Sequence, residues 1–269
     1  MSKVPLSNEE LKEQAPALFT AEPHFNVSDK YHFIPTIDVI NEIKNNNWYP
    51  VSVAQASVRD ADKESYQSHL VRFRHFDDLL APSDNAVELI LFNSHDRSKS
   101  FTISAGIFRF VCANGLVVAE NVFESYKIKH IGDRDNDVAA AVASITAIKP
   151  KLMEKIHKLE SITLNAFEKE SFAQSAIPLR FEEHLEVDHR DLLIPHREQD
   201  SKDDLYTVFN VIQENLLRGN VSGVNKESGR RFTSREITSI SKDVTINQGL
   251  WDIAERIASI KEPHMLMAA

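Results

Sequence analysis

A single cysteine, Cys112, stands in a chain of 269 residues, which rules out an internal disulfide and a zinc cage built from cysteines. No apolar run approaches the length that crosses a bilayer, and the opening MSKVPLSNEELKEQ lacks the apolar core of a secretory leader. Repeats and low-complexity tracts are not visible. The glycine-bearing block GNVSGVNKESGRRFTSREI (219–237) lacks the Lys-Ser/Thr ending of a phosphate loop, so nucleotide hydrolysis is not indicated. Positive charge is in deficit: 31 Lys and Arg face 40 Asp and Glu, a net charge of -9. That balance weighs against nonspecific nucleic-acid binding, which needs cations to neutralise phosphates. The expectation is a cytoplasmic globular protein.

What is present begins with enough apolar material for a core. Hydrophobic residues make up 42% of the chain, which suits one large domain or two modest ones. Charge is unevenly spread. Residues 160–204 hold 12 acidic and 5 basic side chains, whereas 216–242 hold 6 basic (Arg218, Lys226, Arg230, Arg231, Arg235, Lys242) and 2 acidic ones. An acidic stretch beside a basic one fits a nucleic-acid site, and equally two segments that pair with each other.

The periodicities divide the chain into a strand-rich half and a helical half. Ser7 with Glu10 reads as a capping box for a short helix that Pro16 limits. Tyr31 to Ile34 reads as a brief strand, and Thr36 as the cap of a helix with Ile37, Ile40 and Ile43, ended by Asn45–Asn46–Asn47. The period then becomes two: Val51 and Val53, Val71 and Phe73, the run VELILF (87–92), Phe101 and Ile103, and Tyr126 and Ile128. Helical spacing returns with Val138, Ala141, Val142, Ile145 and Ile148, and resumes beyond Pro150 with Leu152, Ile156 and Leu159. Residues 178–202 read as an acidic, irregular connection. An amphipathic helix follows over Leu205, Val208, Phe209, Ile212 and Leu216, stopped by Gly219, and a last helix carries Leu250, Ile253, Ile257 and Ile260. The fold class is α+β: an antiparallel sheet-rich part over 1–135, followed by a mainly helical part over 136–269, packed as one compact unit.

Four groups of residues invite a chemical reading. Asn93–Ser94–His95–Asp96 sets a histidine beside a carboxylate, as in a general base with its orienting partner, but Asn, Ser and Asp also build hairpin turns, and the turn is preferred. Cys112, in FRFVCA, is expected to pack as a small hydrophobe. His184, His189 and His196 among acidic neighbours fit no zinc spacing, so no metal site is assigned. Arg72 and Arg74 share one strand face, and Lys127 and Lys129 share another, with Arg97 and Arg109 near the rim. In the basic segment, Gly219, Gly223 and Gly229 allow close backbone approach, and Arg230, Arg231 and Arg235 have the forked geometry that suits phosphate. Folding of this segment back towards the Arg72/Arg74 strand would give one basic surface.

The blocks PTIDVI (35–40), LILFNSHDRSKSF (89–101), GIFRFVCANGLV (106–117) and QENLLRGNVSG (213–223), with the TSREI and NQGLWDIAE series ending at Glu255, resemble in that order the phage- and plasmid-borne domain of unknown function 932. The resemblance implies a mobile-element origin, including prophages, and brings no activity, cofactor or catalytic residue. The leading expectation is a non-enzymatic accessory protein that binds single-stranded DNA or other nucleic acid. Its site would comprise Arg72, Arg74, Arg97, Lys127, Lys129, Arg230, Arg231 and Arg235, with Phe76, Tyr126 and Phe232 as the nearest stacking platforms. The alternative is an inhibitor that binds a host defence protein through its acidic region, and the third is a hydrolase using His95 and Asp96.

Overall fold

The period-two stretches become strands and the helical stretches become helices, in a computed structural model that describes residues 4–26, 33–58, 65–80, 85–96, 101–109, 114–117, 126–127 and 134–267. Four long antiparallel strands lie in sequence order: β1 (Trp48–Gln55), β2 (His69–His75), β3 (Asn85–Asn93) and β4 (Thr102–Arg109). With the helices of the C-terminal half this is an α+β arrangement. Two further strands, β5 (Asn114–Val117) and β6 (Tyr126–Lys127), follow, and β6 pairs with β4. Contacts divide the chain into two compact units, Met1–Phe110 with Glu120–Lys149 and Val111–Ala119 with Pro150–Ala269.

In the first unit the register places Val71 opposite Leu91 and Phe73 opposite Leu89, while Leu89 in turn faces Ala105. One face of the sheet is therefore a continuous apolar layer. The run VELILF is buried on both faces of β3 as far as Leu91, with Phe92 half-buried, as near-continuous hydrophobicity in a strand leads one to expect. Helix α1 (Asn8–Gln14) opens with the Ser7–Glu10 capping box, in which each side chain takes the other's backbone N–H. A 3-10 turn, Pro16–Phe19, then carries Ala17 and Leu18 into the core. Helix α2 (Thr36–Asn45) buries Val39, Ile40 and Ile43. Its cap position is Pro35, and Thr36 is its first residue, so the expected capping role passes from Thr36, whose hydroxyl is used elsewhere. Ile34 is buried without strand pairing, and Tyr31 and His32 lie outside the described residues. A five-residue helix, α3 (Phe76–Leu80), follows β2 directly. Helix α4 (Arg134–Ser161) runs through Pro150. Its early turns bury Val138, Ala141, Val142 and Ile145, and Thr146 accepts from the Trp48 indole N–H at 3.0 Å.

The second unit is built around α6 (Leu205–Arg218), with α5 (Ala166–Ala176) and α7 (Ile240–Met267) against it. Every residue of α6 from Leu205 to Leu216 is buried, although its pattern predicts one wet face. The polar residues on that face find partners instead. Glu214 takes both Arg197 at 2.7 Å and Arg218 at 2.6 Å, while Asn215 donates to the Leu192 and Ile194 carbonyls. His196 bonds Asn215 at 2.7 Å, and Gln213 donates to Asn247. The acidic connection over 178–202 thus acts as a polar lid on α6. Phe209 packs edge-on to Trp251 at 6.1 Å, in the geometry that suits aromatic quadrupoles. Among the described residues no helix is long and apolar enough to cross a membrane.

Candidate nucleic-acid interface

The acidic and basic segments meet in a small three-stranded sheet of the second unit. Strand β7 (Leu185–Val187) comes from the acidic connection, whereas β8 (Ser222–Asn225) and β9 (Arg231–Thr233) form a hairpin from the glycine-bearing block. The two segments pair through their backbones. Asn225 organises the hairpin turn: its Oδ1 accepts from the Glu227 and Ser228 N–H groups, and its carbonyl accepts from Gly229, whose φ of 65° a side chain would oppose. At Gly223 the need is for space, because a Cβ there would lie 2.5 Å from the Glu186 carbonyl and 2.7 Å from the Phe232 ring. Gly219 and Gly223 thus serve close packing within the chain, where the sequence suggested close backbone approach to a ligand.

Alternation along the strands sorts the charges by face. Glu186, Val224 and Arg231 lie in one cross-strand row, and Gly223 with Phe232 in the next, on the other face. The Phe232 face opens into a cavity of about 530 Å³ lined by Arg180, Phe181, Phe232, Arg235, Ser241 and Lys242 among others. Among its described lining residues three are cationic and none is acidic. Arg180 donates through Nη2 to the Arg235 carbonyl, and its guanidinium lies 5.4 Å from the Phe181 ring centroid. Its Nη1 is buried without a hydrogen-bond partner among the described residues. Burial lowers the Arg180 pKa, from so high a starting value that the guanidinium stays charged. The nearby Asp243 carboxylate is taken up by the Asn247 amide. The opposite face lines a depression of about 640 Å³ with Glu186, Asp188, Asp191 and Arg231. There Arg190, bonded to the Asp188 carboxylate, holds its pKa down at about 2.

The remaining sequence candidates fare differently. Arg72 and Arg74 do share a strand face, but that face is covered. The Arg74 side chain is 1% exposed and pairs with Glu88 at 2.9 Å, and Arg72, 11% exposed, reaches the same carboxylate at 3.2 Å. As a free phosphate-binding pair they are corrected: both guanidiniums are engaged by the one carboxylate of Glu88, on the neighbouring strand, within the fold. Arg97, Lys129 and Cys112 lie outside the described residues, as do the side chains of Arg109, Tyr126 and Lys127. Arg230, Arg231 and Arg235 are exposed. Of these, Arg235 lines the cationic cavity and Arg231 the acidic depression. Phe76 is 44% exposed at the end of β2. The residue that sequence reasoning missed is Arg180, counted within an acidic stretch; only the close return of the chain at Gly219 and Gly223 brings it beside Arg235.

The Asn93–Ser94–His95–Asp96 stretch does lead out of β3 in a bend, but Asn93, Ser94 and His95 have no exposed surface. They close on Thr36, whose Oγ1 lies 2.9 Å from His69 Nε2, 3.2 Å from His95 Nε2 and 3.0 Å from Asn93 Nδ2. The His69 Nδ1 faces the Gln67 carbonyl at 2.9 Å and so carries the proton. Its Nε2 therefore accepts from the Thr36 hydroxyl, which in turn accepts from His95 and Asn93. Burial, then the neighbouring His95, lowers the His69 pKa to about 3. This closed network ties α2 to the ends of β2 and β3, and it leaves His95 with no exposed surface from which to act as a base. The histidines of the second unit are separate from one another: His184 lies 3.5 Å from Glu182 and His189 lies 3.9 Å from Glu170. Among the described residues no group of three histidine, cysteine or acidic side chains is placed to hold a metal ion.

Comparison with known proteins places the chain in a family. The model of the family described as Domain of unknown function (DUF932) matches residues 23–251. The proteins named UPF0380 protein YafZ and UPF0380 protein YfjQ, both of Escherichia coli (strain K12), are each 34% identical over 254 residues, covering 94% of this chain and 92% of theirs. No solved structure matches significantly. The chain belongs to the DUF932 family.

Proposed function

We propose that this DUF932 protein is a non-enzymatic accessory protein of a mobile element that binds single-stranded nucleic acid through its second unit. The observation that carries the reading is the cavity in which Arg180, Arg235 and Lys242 converge with no acidic residue among the described lining residues. A phosphate would supply the acceptor that Arg180 Nη1 lacks among the described residues. Exposed Arg230 and Lys226, at the hairpin tip, extend the positive region. Phe232, half-buried at the edge of the cavity, offers a ring for base stacking. The mobile-element context rests on the resemblance described above.

A titration against labelled single-stranded DNA at two salt concentrations tests this. Each phosphate contact contributes roughly 0.7 to the log–log salt slope, so Arg230→Ala with Arg235→Ala should lower affinity and slope together while the protein stays folded. Failure to bind even at low salt, where electrostatic attraction is strongest, would overturn the reading.

One observation favours a second reading. The depression on the other face gathers Glu186, Asp188 and Asp191, a surface suited to a cationic patch on a host defence protein. Charge reversal at Glu182, Glu183 and Glu186 should then abolish function while the arginine changes leave it intact.

A further inference from the structure

The cavity against Phe232 carries more than positive charge. Its lining combines two chemistries. The Phe181 and Phe232 rings meet at 6.3 Å between centroids, tilted by 46°. Arg235, Ser241 and Lys242 are the polar lining, and Arg180 joins the two: its guanidinium is close to the Phe181 ring and turns Nη2 to the Arg235 carbonyl. Inorganic phosphate would use only the cationic groups, and an apolar molecule only the aromatic ones. The volume of about 530 Å³ falls within the range of pockets for small molecules and cofactors, roughly 300–1,000 Å³. A duplex, about 20 Å across and with its bases stacked inside, cannot present one base to the rings. An unpaired nucleotide can, because its base has a free face and its phosphate sits one sugar away.

We propose that this cavity is a nucleotide subsite, in which Phe232 with Phe181 receives one unstacked base and Arg180, Arg235 and Lys242 receive the phosphate attached to it. The inference rests on the nucleic-acid reading above and deepens it, by naming the unit that is recognised. The nucleotide has two sources, a free nucleoside monophosphate or a residue within a single strand, and the chemistry at the cavity is the same for both.

The test is calorimetric titration of the full chain with adenosine 5′-monophosphate, adenosine and inorganic phosphate, alongside displacement of a labelled oligodeoxyadenylate. The monophosphate should bind at least tenfold more tightly than adenosine or phosphate alone, and should displace the oligonucleotide. Phe232→Leu, and separately Lys242→Ala, should each weaken the monophosphate at least fivefold. Lys242 is exposed, so its replacement keeps the test meaningful if Phe232→Leu disturbs the hairpin, and thermal melts report which has happened. Inorganic phosphate competing as well as the monophosphate would overturn the subsite, since base recognition would be absent. Oligonucleotide binding with no monophosphate binding would also overturn it, leaving the function proposed above intact. Monophosphate binding without oligonucleotide binding would support the subsite and refute that function. Binding of neither would refute both.

Discussion

Replacing Glu88 by Gln should be among the most damaging single changes in the first unit. Glu88 has no exposed surface, and its two oxygens answer two guanidiniums, Arg74 at 2.9 Å and Arg72 at 3.2 Å. An amide keeps the shape and removes the charge, leaving two cations on one covered strand face. Breaking a buried pair from one side costs about 3–5 kcal/mol, because the remaining charge stays desolvated. With about 2–4 °C of melting temperature per kcal/mol for a protein of this size, the transition should fall by roughly 10 °C. Urea denaturation of Glu88→Gln against the parent gives the free energy directly. The double change Arg74→Met with Glu88→Met provides the control: it removes the buried charges together, and Arg72, at 11% exposure, is left near enough to solvent to rehydrate. The double variant should therefore be more stable than Glu88→Met alone. A loss below about 1 kcal/mol for Glu88→Gln, the scale of an exposed pair, would refute the assignment of a buried, mutually dependent trio. So would a double variant less stable than the single one.

Three further outcomes follow from the same geometry. Thr36→Val keeps the side-chain volume and removes the hydroxyl that joins His69, His95 and Asn93; with buried polar groups left unmet at about 1–3 kcal/mol each, denaturation should show a loss of at least about 2 kcal/mol. His69 is held neutral down to about pH 3 in the fold but takes up its proton near pH 6.5 when unfolded. The unfolded chain therefore binds the extra proton across that window, and stability should decline as pH falls from about 6.5 to 3, then show no further loss from this group. Denaturation midpoints at pH 7, 5 and 4, compared with those of His69→Gln, isolate the contribution. Gly223→Ala would place a Cβ 2.5 Å from the Glu186 carbonyl, so β7 and β8 must separate. Hydrogen exchange at the Val224 and Glu186 amides, which face each other across the β7–β8 ladder, should accelerate, with little change in α6.

The large elements were legible because their signals are local. The Ser7–Glu10 box, the alternation through Val71 and Phe73, and the stop at Gly219 each lie within a few residues of what they specify. Helix α5 carries a signal of the same kind, the Asn165–Glu168 box, and was readable in principle. What escaped was decided by distant partners. Nothing near Glu214 or Asn215 says that Arg197 and His196 will fold over them, so α6 reads as half-exposed when it is fully buried. Thr36 looks like a cap because Thr commonly is one; His69 and His95, 33 and 59 residues away, redirect its hydroxyl. Arg72 and Arg74 read as a basic stripe because Glu88 meets them only through strand register.

The same distinction governs the candidate site. Summed charge describes a chain, whereas a ligand meets one face. The stretch over 160–204 is strongly acidic and the stretch over 216–242 basic, and the backbone pairs them through β7 and β8. Simple neutralisation would be the outcome if side chains alternated at random. The pleat instead sends Glu186 and Arg231 to one side and Phe232 to the other. The acidic connection then contributes its one well-placed cation, Arg180, to the second side. A protein with a net charge of -9 can therefore hold a cavity whose described lining is cationic without exception among its charged groups. The long-range field of such a chain repels a polyanion, so any nucleic-acid binding it shows must come from close contact. Affinity should depend on Phe232 and on the cavity cations far more than on surface lysines elsewhere, which separates a built site from diffuse electrostatic attraction.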